Sequence, residues 1–576
     1  MSSAISHTQS RPLPTEHWHI DWTGLFFVLL PTTMAVVMGW MATAAGPGMN
    51  ADGVNYLNMA INVQAGRGFM ADFVDTYSQL PSGPVTFWPP GYSLMIVGLM
   101  EVGLNAITAA RWVSLLALGG LIIAAFVLGQ LLGGRLSGLL AAMAVASLMP
   151  VMRLGTFALS EAPFALFSML ALITAIHYVQ AKEQYAKRWL LLCALCIALA
   201  ILTRYVGVIW LVGLGAIVIW KEISKELRQT TNWLRMLITI ALAEIIAGAP
   251  VTPWLIRNWL LTGFVTGMDR EHKYHADLAG NIRFLVNTLA TDLLPPMHWG
   301  LRGLLMELPT VALILVGLGV LVGGVMGIRW IWHSGMVKAL FKTHQQDWRR
   351  WLCTPQALTF QFIALYLSGM LFLSTTIEFP PYDWPRTAAV IYPCLLAFMV
   401  NLVHAGWQWL FRRRILHHFA SWQSPLLVLM AAFCLVPYAV QTHGFVEAAA
   451  QGQEFTTAAW RDNQALRAIR TMAETQSIIY SDRAPAAYLY LQRPVRYLPQ
   501  QSGIAEFYQF LERKAAHPGQ IEYVLTFKGE LGSNDPYRSS RISYTEMLDL
   551  MAERSDIALL ADFPDGAIFR IGSNIE

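Results

Sequence analysis

Between Trp22 and Val440 the chain carries a succession of windows about 17–25 residues long with almost no charged side chain. Wound as an α-helix, a window of that length spans the roughly 30 Å hydrocarbon core of a bilayer. In lipid every backbone polar group must be satisfied internally, so only helices and closed barrels cross it. A barrel would show short alternating strands, and the sequence shows none. Composition agrees: 55% of residues are hydrophobic and 13% charged, against about 25% charged in soluble chains. The expected fold is an α-helical polytopic membrane protein with about eleven crossings.

Those crossings are expected near residues 22–44, 107–132, 136–151, 159–179, 189–203, 206–220, 234–261, 304–330, 357–376, 387–404 and 425–440. Residues 92–102 are expected to lie in the interface or to span it partly. The short loops that carry Arg135, then Lys182, Lys187 and Arg188, then Lys221, Lys225, Arg228 and Arg235 alternate with turns holding only Arg153, Arg204 or Arg386. Later, Arg329, Lys338, Lys342, Arg349 and Arg350, and then Arg412, Arg413 and Arg414, continue the pattern. The excess of Lys and Arg marks the cytoplasmic face. The chain is thereby expected to be a multi-pass protein of the plasma (inner) membrane, with its N-terminus cytoplasmic and its C-terminus outside. The net charge of +4 lies mostly in these loops, which fits a cytoplasmic-side bias better than a nucleic-acid surface, and no nucleic-acid partner is expected. The five cysteines form no disulfide framework; Cys193 and Cys196 share an apolar helix face and read as packing residues. The first 21 residues lack the pattern of a cleaved signal and form an expected cytoplasmic tail, 1–21.

The membrane part is expected over 22–442, with a long outer loop at 45–91 and a second at 262–303. After residue 442 the composition becomes charged and mixed, and an extracytoplasmic (periplasmic) α/β domain is expected over 443–576. Strands are predicted at 477–481, 488–491, 523–527 and 566–571, and helices at 456–475, 504–515 and 544–553.

The first outer loop holds the chemistry. Asp52 stands where a helix would start, before Asn55, Tyr56 and Met59, and Gly66 would end that helix. Asp is a favoured N-cap, so this carboxylate has a structural reading as well as a catalytic one. Asp72 and Asp75 follow, flanked by aromatics. Three carboxylates in one loop can supply a general base or ligands for a hard divalent cation, the one cofactor the pattern leaves open. At the same membrane boundary lie Glu161 in Ser-Glu-Ala-Pro, Arg204 in Thr-Arg-Tyr, Arg257 and Asn258 in Pro-Trp-Leu-Ile-Arg-Asn-Trp, and Arg386 in Tyr-Asp-Trp-Pro-Arg. Any one of these cations could simply snorkel to the headgroups. Three on the face opposite the basic loops suit a phosphate, which Arg holds by forked hydrogen bonds. His272, Lys273 and His275 read as polar loop residues.

The order of these motifs resembles the GT-C glycosyltransferases, and more narrowly the protein O-mannosyltransferase and lipid A aminoarabinose transferase relatives (families 39 and 83). The residues that carry the resemblance are Asp52-Gly-Val-Asn-Tyr56, Gly66-Arg-Gly68, Trp88-Pro-Pro-Gly-Tyr92, Arg111-Trp112, Gly134-Arg-Leu-Ser-Gly138, Ser160-Glu-Ala-Pro163, Thr203-Arg204 and Pro253-Trp254 with Arg257-Asn258. The resemblance implies a sugar donor on a polyprenyl (or dolichyl) phosphate, transfer on the extracytoplasmic side, and catalysis by the acidic residue early in the first outer loop, here Asp52. Gly53 follows Asp52, whereas the protein mannosyltransferases carry an Asp-Glu pair there, so the lipid- or glycan-modifying branch is the closer one. The expected reaction is transfer to a hydroxyl of a lipid, glycan or protein by one inverting displacement. Asp52 is the expected catalytic residue; Tyr56, Glu161, Arg204, Arg257, Asn258 and Arg386 are expected to bind substrate, with Asp72 and Asp75 in support. The alternative is a transporter or flippase of lipid-linked sugars. That reading calls for internal repeats and ionisable groups at mid-depth, and no clear repeat is present.

Overall fold

The computed structural model describes residues 22–74, 80–224, 233–268, 277–293, 351–376, 383–412, 421–474, 477–499, 504–516, 522–528 and 556–571, with single positions at 549, 551 and 554. The expected crossing at 304–330, the predicted helix at 544–553 apart from two of these positions, Asp75, and the His272–His275 stretch lie outside them.

Helices α1 (Trp22–Ala42), α2 (Ala51–Gln64), α3 (Gly91–Met100) and α4 (Ala106–Gly133) come first. They are followed by α5 (Arg135–Ser147), α6 (Met149–Thr156), α7 (Glu161–Gln180), α8 (Glu183–Thr203), α9 (Ile209–Ser224), α10 (Trp233–Gly248), α11 (Thr252–Thr262) and α12 (Leu278–Leu293). Then come α13 (Pro355–Thr376), α14 (Trp384–Ala389), α15 (Tyr392–Arg412) and α16 (Gln423–Ala449). Among the described residues seven helical segments are long and apolar enough to cross a membrane, or up to nine if two bent pairs each count as one. The chain is thus a multi-pass membrane protein.

Two expected crossings are broken. The window 136–151 divides at Leu148 into α5 and α6, bent by 66°, with Pro150 in the first turn of α6, where its missing N–H costs nothing. The window 234–261 divides into α10 and α11 with a bend of 61°, around Gly248, Pro250 and Pro253. Hydropathy windows average over such breaks. The window 387–404 is shifted: the helix there begins at Tyr392 and runs to Arg412, and the short α14 precedes it. The outer loop expected at 262–303 contains α12, and α16 runs past the expected boundary at 442 to Ala449.

The membrane helices share one apolar core that runs from Val28 to Ala449. Close approach depends on small residues. A Cβ on Gly138 of α5 would lie 2.6 Å from the Phe126 carbonyl oxygen of α4, so this helix pair packs backbone to backbone.

A second core joins the first loop to the C-terminal part. Tyr56, Met59, Phe73, Tyr92 and Trp254 pack in one cluster with Trp460, Tyr488, Val495 and Phe527. The strands are β1 (Met70–Ala71), β2 (Phe73–Val74), β3 (Gly83–Pro84), β4 (Ile478–Ser481), β5 (Val495–Tyr497), β6 (Glu522–Phe527), β7 (Ile557–Phe563) and β8 (Gly566–Ile571). Six of them form a mixed sheet in the order β2-β5-β4-β6-β8-β7, so the first loop contributes an edge strand, paired in parallel with β5. The strand predicted at 488–491 is instead the end of a helix, Ala484–Leu491, opened by a proline in its first turn.

Asp72, immediately before β2, is 4% exposed and bound on several sides. Arg67 donates to both its oxygens at 3.1 and 3.3 Å, and the amides of Asn58 and Asn62 reach it at 3.0 and 3.2 Å. Asn58 also donates to the Tyr488 hydroxyl, across the seam between α2 and the C-terminal part. Replacing Asp72 by Ala leaves these donors without their acceptor in a buried place. It is expected to cost roughly 1–3 kcal/mol, read as a lower unfolding midpoint of the purified protein in detergent.

Candidate active site

Helix α2 opens with Asn50, not Asp52, as its cap: the Asn50 side chain accepts from the Gly53 amide at 3.0 Å. Asp52 sits in the first turn with its carboxylate released from capping. Gly53 is required next to it, because a Cβ there would lie 2.9 Å from the Ala158 carbonyl oxygen. The same approach is held by backbone bonds, Gly48 to Thr156 and Ala158 to Gly48, both 2.9 Å. This contact draws the start of α2 against the turn that leads into α7, whose first residue is Glu161.

Three elements then meet at one guanidinium, and a fourth joins them through Glu161. Arg386, in the last turn of α14, places Nη1 2.8 Å from Oδ2 of Asp52 and Nε 2.9 Å from Oδ1 of Asp383. The same Nε lies 3.5 Å from Oε1 of Glu161. Glu161 is 1% exposed and is met by Arg204 Nη1 at 2.7 Å. Arg204 stands where α8 ends and the backbone turns extended. Its cation also lies 3.4 Å from the Ser160 hydroxyl, which pairs with the Tyr56 hydroxyl at 3.1 Å. Tyr56 is one turn beyond Asp52 and is walled by Tyr92 and Trp88, with ring centroids at 5.1 and 6.4 Å. Burial raises the Tyr56 phenol, so it stays protonated. Nearby carboxylates, Asp52 foremost, hold Arg386 charged well above its ordinary value against its burial. Burial pushes the Asp383 carboxyl up to about 6, with Arg386 pulling the other way.

Asp52, Tyr56, Glu161, Arg204 and Arg386 therefore come together. Arg257 and Asn258 sit one step away and face backbone. Arg257 donates to the carbonyls of Val85 at 2.8 Å and Phe69 at 3.2 Å, with its cation 4.7 Å from the Trp254 ring. The Asn258 amide donates to the Thr86 carbonyl at 2.8 Å and to the Tyr205 hydroxyl at 3.1 Å. They pin the first loop to the residue after Arg204. Asp72 is engaged at the α2 seam, as described above. Ser160 and Asp383 were missed by the sequence reading. The Asp383–Arg386 pair could have been found from its i, i+3 spacing beside a proline that opens a helix. Among the described residues no group of three His, Cys, Asp or Glu side chains is arranged to hold a metal ion.

Removing the guanidinium would leave three carboxylates facing one another. Arg386→Ala is expected to cost roughly 3 kcal/mol of stability. Lowering the pH should restore part of the loss, because protonation then relieves the repulsion. Thermal unfolding of variant and wild type across pH checks both.

The model of a family described as dolichyl-phosphate-mannose-protein mannosyltransferase matches residues 92–256, the stretch from α3 into α11. Among solved structures, the chain is similar to ArnT from Cupriavidus metallidurans in the apo state, with a TM-score of 0.58 and 13% identity over 95% of this chain and 98% of that one. The same enzyme bound to undecaprenyl phosphate gives 0.56 and 14% over the same shares, 95% and 98%. The apo oligosaccharyltransferase from Archaeoglobus fulgidus gives 0.52 and 10% over 89% and 70%. No curated protein matches the sequence. The structures show that the fold is that of the GT-C glycosyltransferases. With the family match they bear out the resemblance drawn from the motifs, and with it the assignment as a glycosyltransferase.

Proposed function

We propose that this glycosyltransferase moves a sugar from a polyprenyl-phosphate donor to a hydroxyl acceptor on the extracytoplasmic face. The observation that carries the reading is the junction of Asp52 with Arg386, beside the Glu161–Arg204 pair, at the ends of helices rather than within them. A general base and two guanidiniums in one place are what attack on a phosphate-linked sugar requires. The structure of ArnT bound to undecaprenyl phosphate supports a donor of this class, and the basic loops on the opposite face support the side.

In the mechanism that follows, the acceptor oxygen forms a bond to the anomeric carbon while the bond from that carbon to the phosphate oxygen breaks. Asp52 accepts the hydroxyl proton. Arg386 engages Oδ2 of Asp52, which leaves Oδ1 for that role. The departing lipid phosphate gains a negative charge, and Arg386 and Arg204 stabilise it. One displacement inverts the anomeric centre. Tyr56 and Glu161 hold the two cations and the sugar in place, while Arg257 and Asn258 fix the loop beside them. The acceptor class, whether lipid, glycan or protein, is read from envelope mass spectra of cells with and without the gene, where a difference of one sugar identifies it.

Asp52→Asn is expected to lower transfer by about 100-fold or more while lipid-phosphate binding persists. Full activity of a normally inserted Asp52→Asn enzyme with the lipid donor would refute the role.

A further inference from the structure

The site holds one more negative charge than positive: Asp52, Glu161 and Asp383 face Arg204 and Arg386. An entering phosphate adds another negative charge to a space already short of cations. Either it binds weakly or one carboxylate becomes neutral, since like charges at close range disfavour the ionised form.

The three carboxylates are not equivalent. Glu161 begins α7, where the helix dipole favours an anion, and it is met by two guanidiniums. Asp52 begins α2 and receives the direct 2.8 Å bond from Nη1 of Arg386. Asp383 is 18% exposed and, among the described residues, pairs with the Nε of Arg386 alone, which it shares with Glu161. Burial already raises its carboxyl to about 6.

We propose that Asp383 takes up a proton from solvent when a lipid phosphate enters the site, and that this frees Arg386 from one of its three carboxylates to pair with the phosphate. The proposal rests on the donor reading above. Among the described residues the groups that face Asp383 are Arg386 from its own turn, Asp52 from α2, Glu161 from α7 and Arg204 after α8. α14 also packs on α6 and α12. The charged residue of α6 is Arg153, 5.1 Å from the Phe157 ring. Those of α12 are Arg283 and Asp292, the latter accepting from the Tyr392 hydroxyl at 2.7 Å.

The sign follows from linkage. An added anion raises the Asp383 carboxyl above its value in the free protein, so the bound state holds more protons. Affinity for the phosphate is then highest below the free value of about 6 and falls as pH rises above it, until the bound form also loses its proton.

The test is binding of farnesyl methyl phosphate, a lipid phosphodiester that carries a single fixed charge, to the full-length protein in detergent from about pH 5 to about pH 9. Wild type should lose affinity above the window's start by up to roughly tenfold per pH unit before levelling. Titration calorimetry in two buffers of different ionisation enthalpy should register net proton uptake at mid-window, with no variant needed. Asp383→Asn, which keeps the shape and removes the charge, should bind at every pH as wild type does at the lowest. A pH-independent wild-type affinity without proton uptake overturns the proposal and leaves the donor reading standing, as does an Asp383→Asn protein that keeps the slope. Absence of binding at any pH overturns the donor reading and the proposal together.

Discussion

One guanidinium organises the site. Arg386 is within ion-pair distance of Asp52, Glu161 and Asp383, which come from three separate parts of the chain. Without a cation at their centre these carboxylates could not share so small a space, since like charges in a partly buried setting repel strongly. Arg suits the place better than Lys, because its planar guanidinium donates from Nη1 to Asp52 while its delocalised charge also lies 2.9 Å from Asp383 through Nε. On the proposed reading, the donor phosphate would compete with these carboxylates for the cation. A site made of ion pairs can reorganise when a new anion arrives, whereas one of buried neutral groups has nothing to exchange.

The frame around that guanidinium is made of helix ends. Glu161 opens α7, Arg204 follows α8, Asp52 lies in the first turn of α2, and Arg386 closes α14. Chain ends at a membrane boundary carry unpaired backbone groups, and irregular backbone is tolerated there only when protein covers it. The cover comes from the first loop and the C-terminal sheet. Phe73 and Tyr488 pack against each other with centroids 5.5 Å apart, and β2 completes the sheet edge beside β5. A two-residue strand is too short to stand alone. It persists because Asp72, bound by Arg67, Asn58 and Asn62, anchors it to α2. The C-terminal part therefore braces the very helix that presents Asp52.

Much of this was legible in the sequence, for reasons that differ by residue. The crossings are visible because lipid imposes one length and one composition on every helix that spans it. Asp52, Glu161, Arg204 and Arg386 are visible because a charge beside apolar sequence is costly and needs an explanation. Other features have no such signature. The bends at Leu148 and between Gly248 and Thr252 leave hydropathy unchanged. The cap at Asn50 competes with Asp52 two residues later, and only the hydrogen bond to Gly53 decides between them. Tyr488–Leu491 is rich in aromatic and branched residues and so reads as a strand, but Pro485 opens a helix there. The pairing of β2 with β5 joins residues more than four hundred apart, and no local pattern reports such a contact.

The breaks that hydropathy hides are what make the site. An unbroken helix through 136–151 would carry the chain straight on; the bend at Leu148 instead turns α6 so that Thr156 and Ala158 run beside Gly48. That short bridge sets the distance between α2 and α7, and with it the distance between Asp52 and Glu161. The second break has a similar result on the other flank. It turns α11 so that Trp254 and Asn258 meet the Tyr205 hydroxyl at 2.8 and 3.1 Å, which fixes the residue next to Arg204. Each bend gives up helical hydrogen bonds within a span, a cost that an interior packed with protein can carry and lipid cannot. Both bends are found where a charged side chain of the site has to be held against its neighbours, which is the physical reason for irregular backbone at these two points.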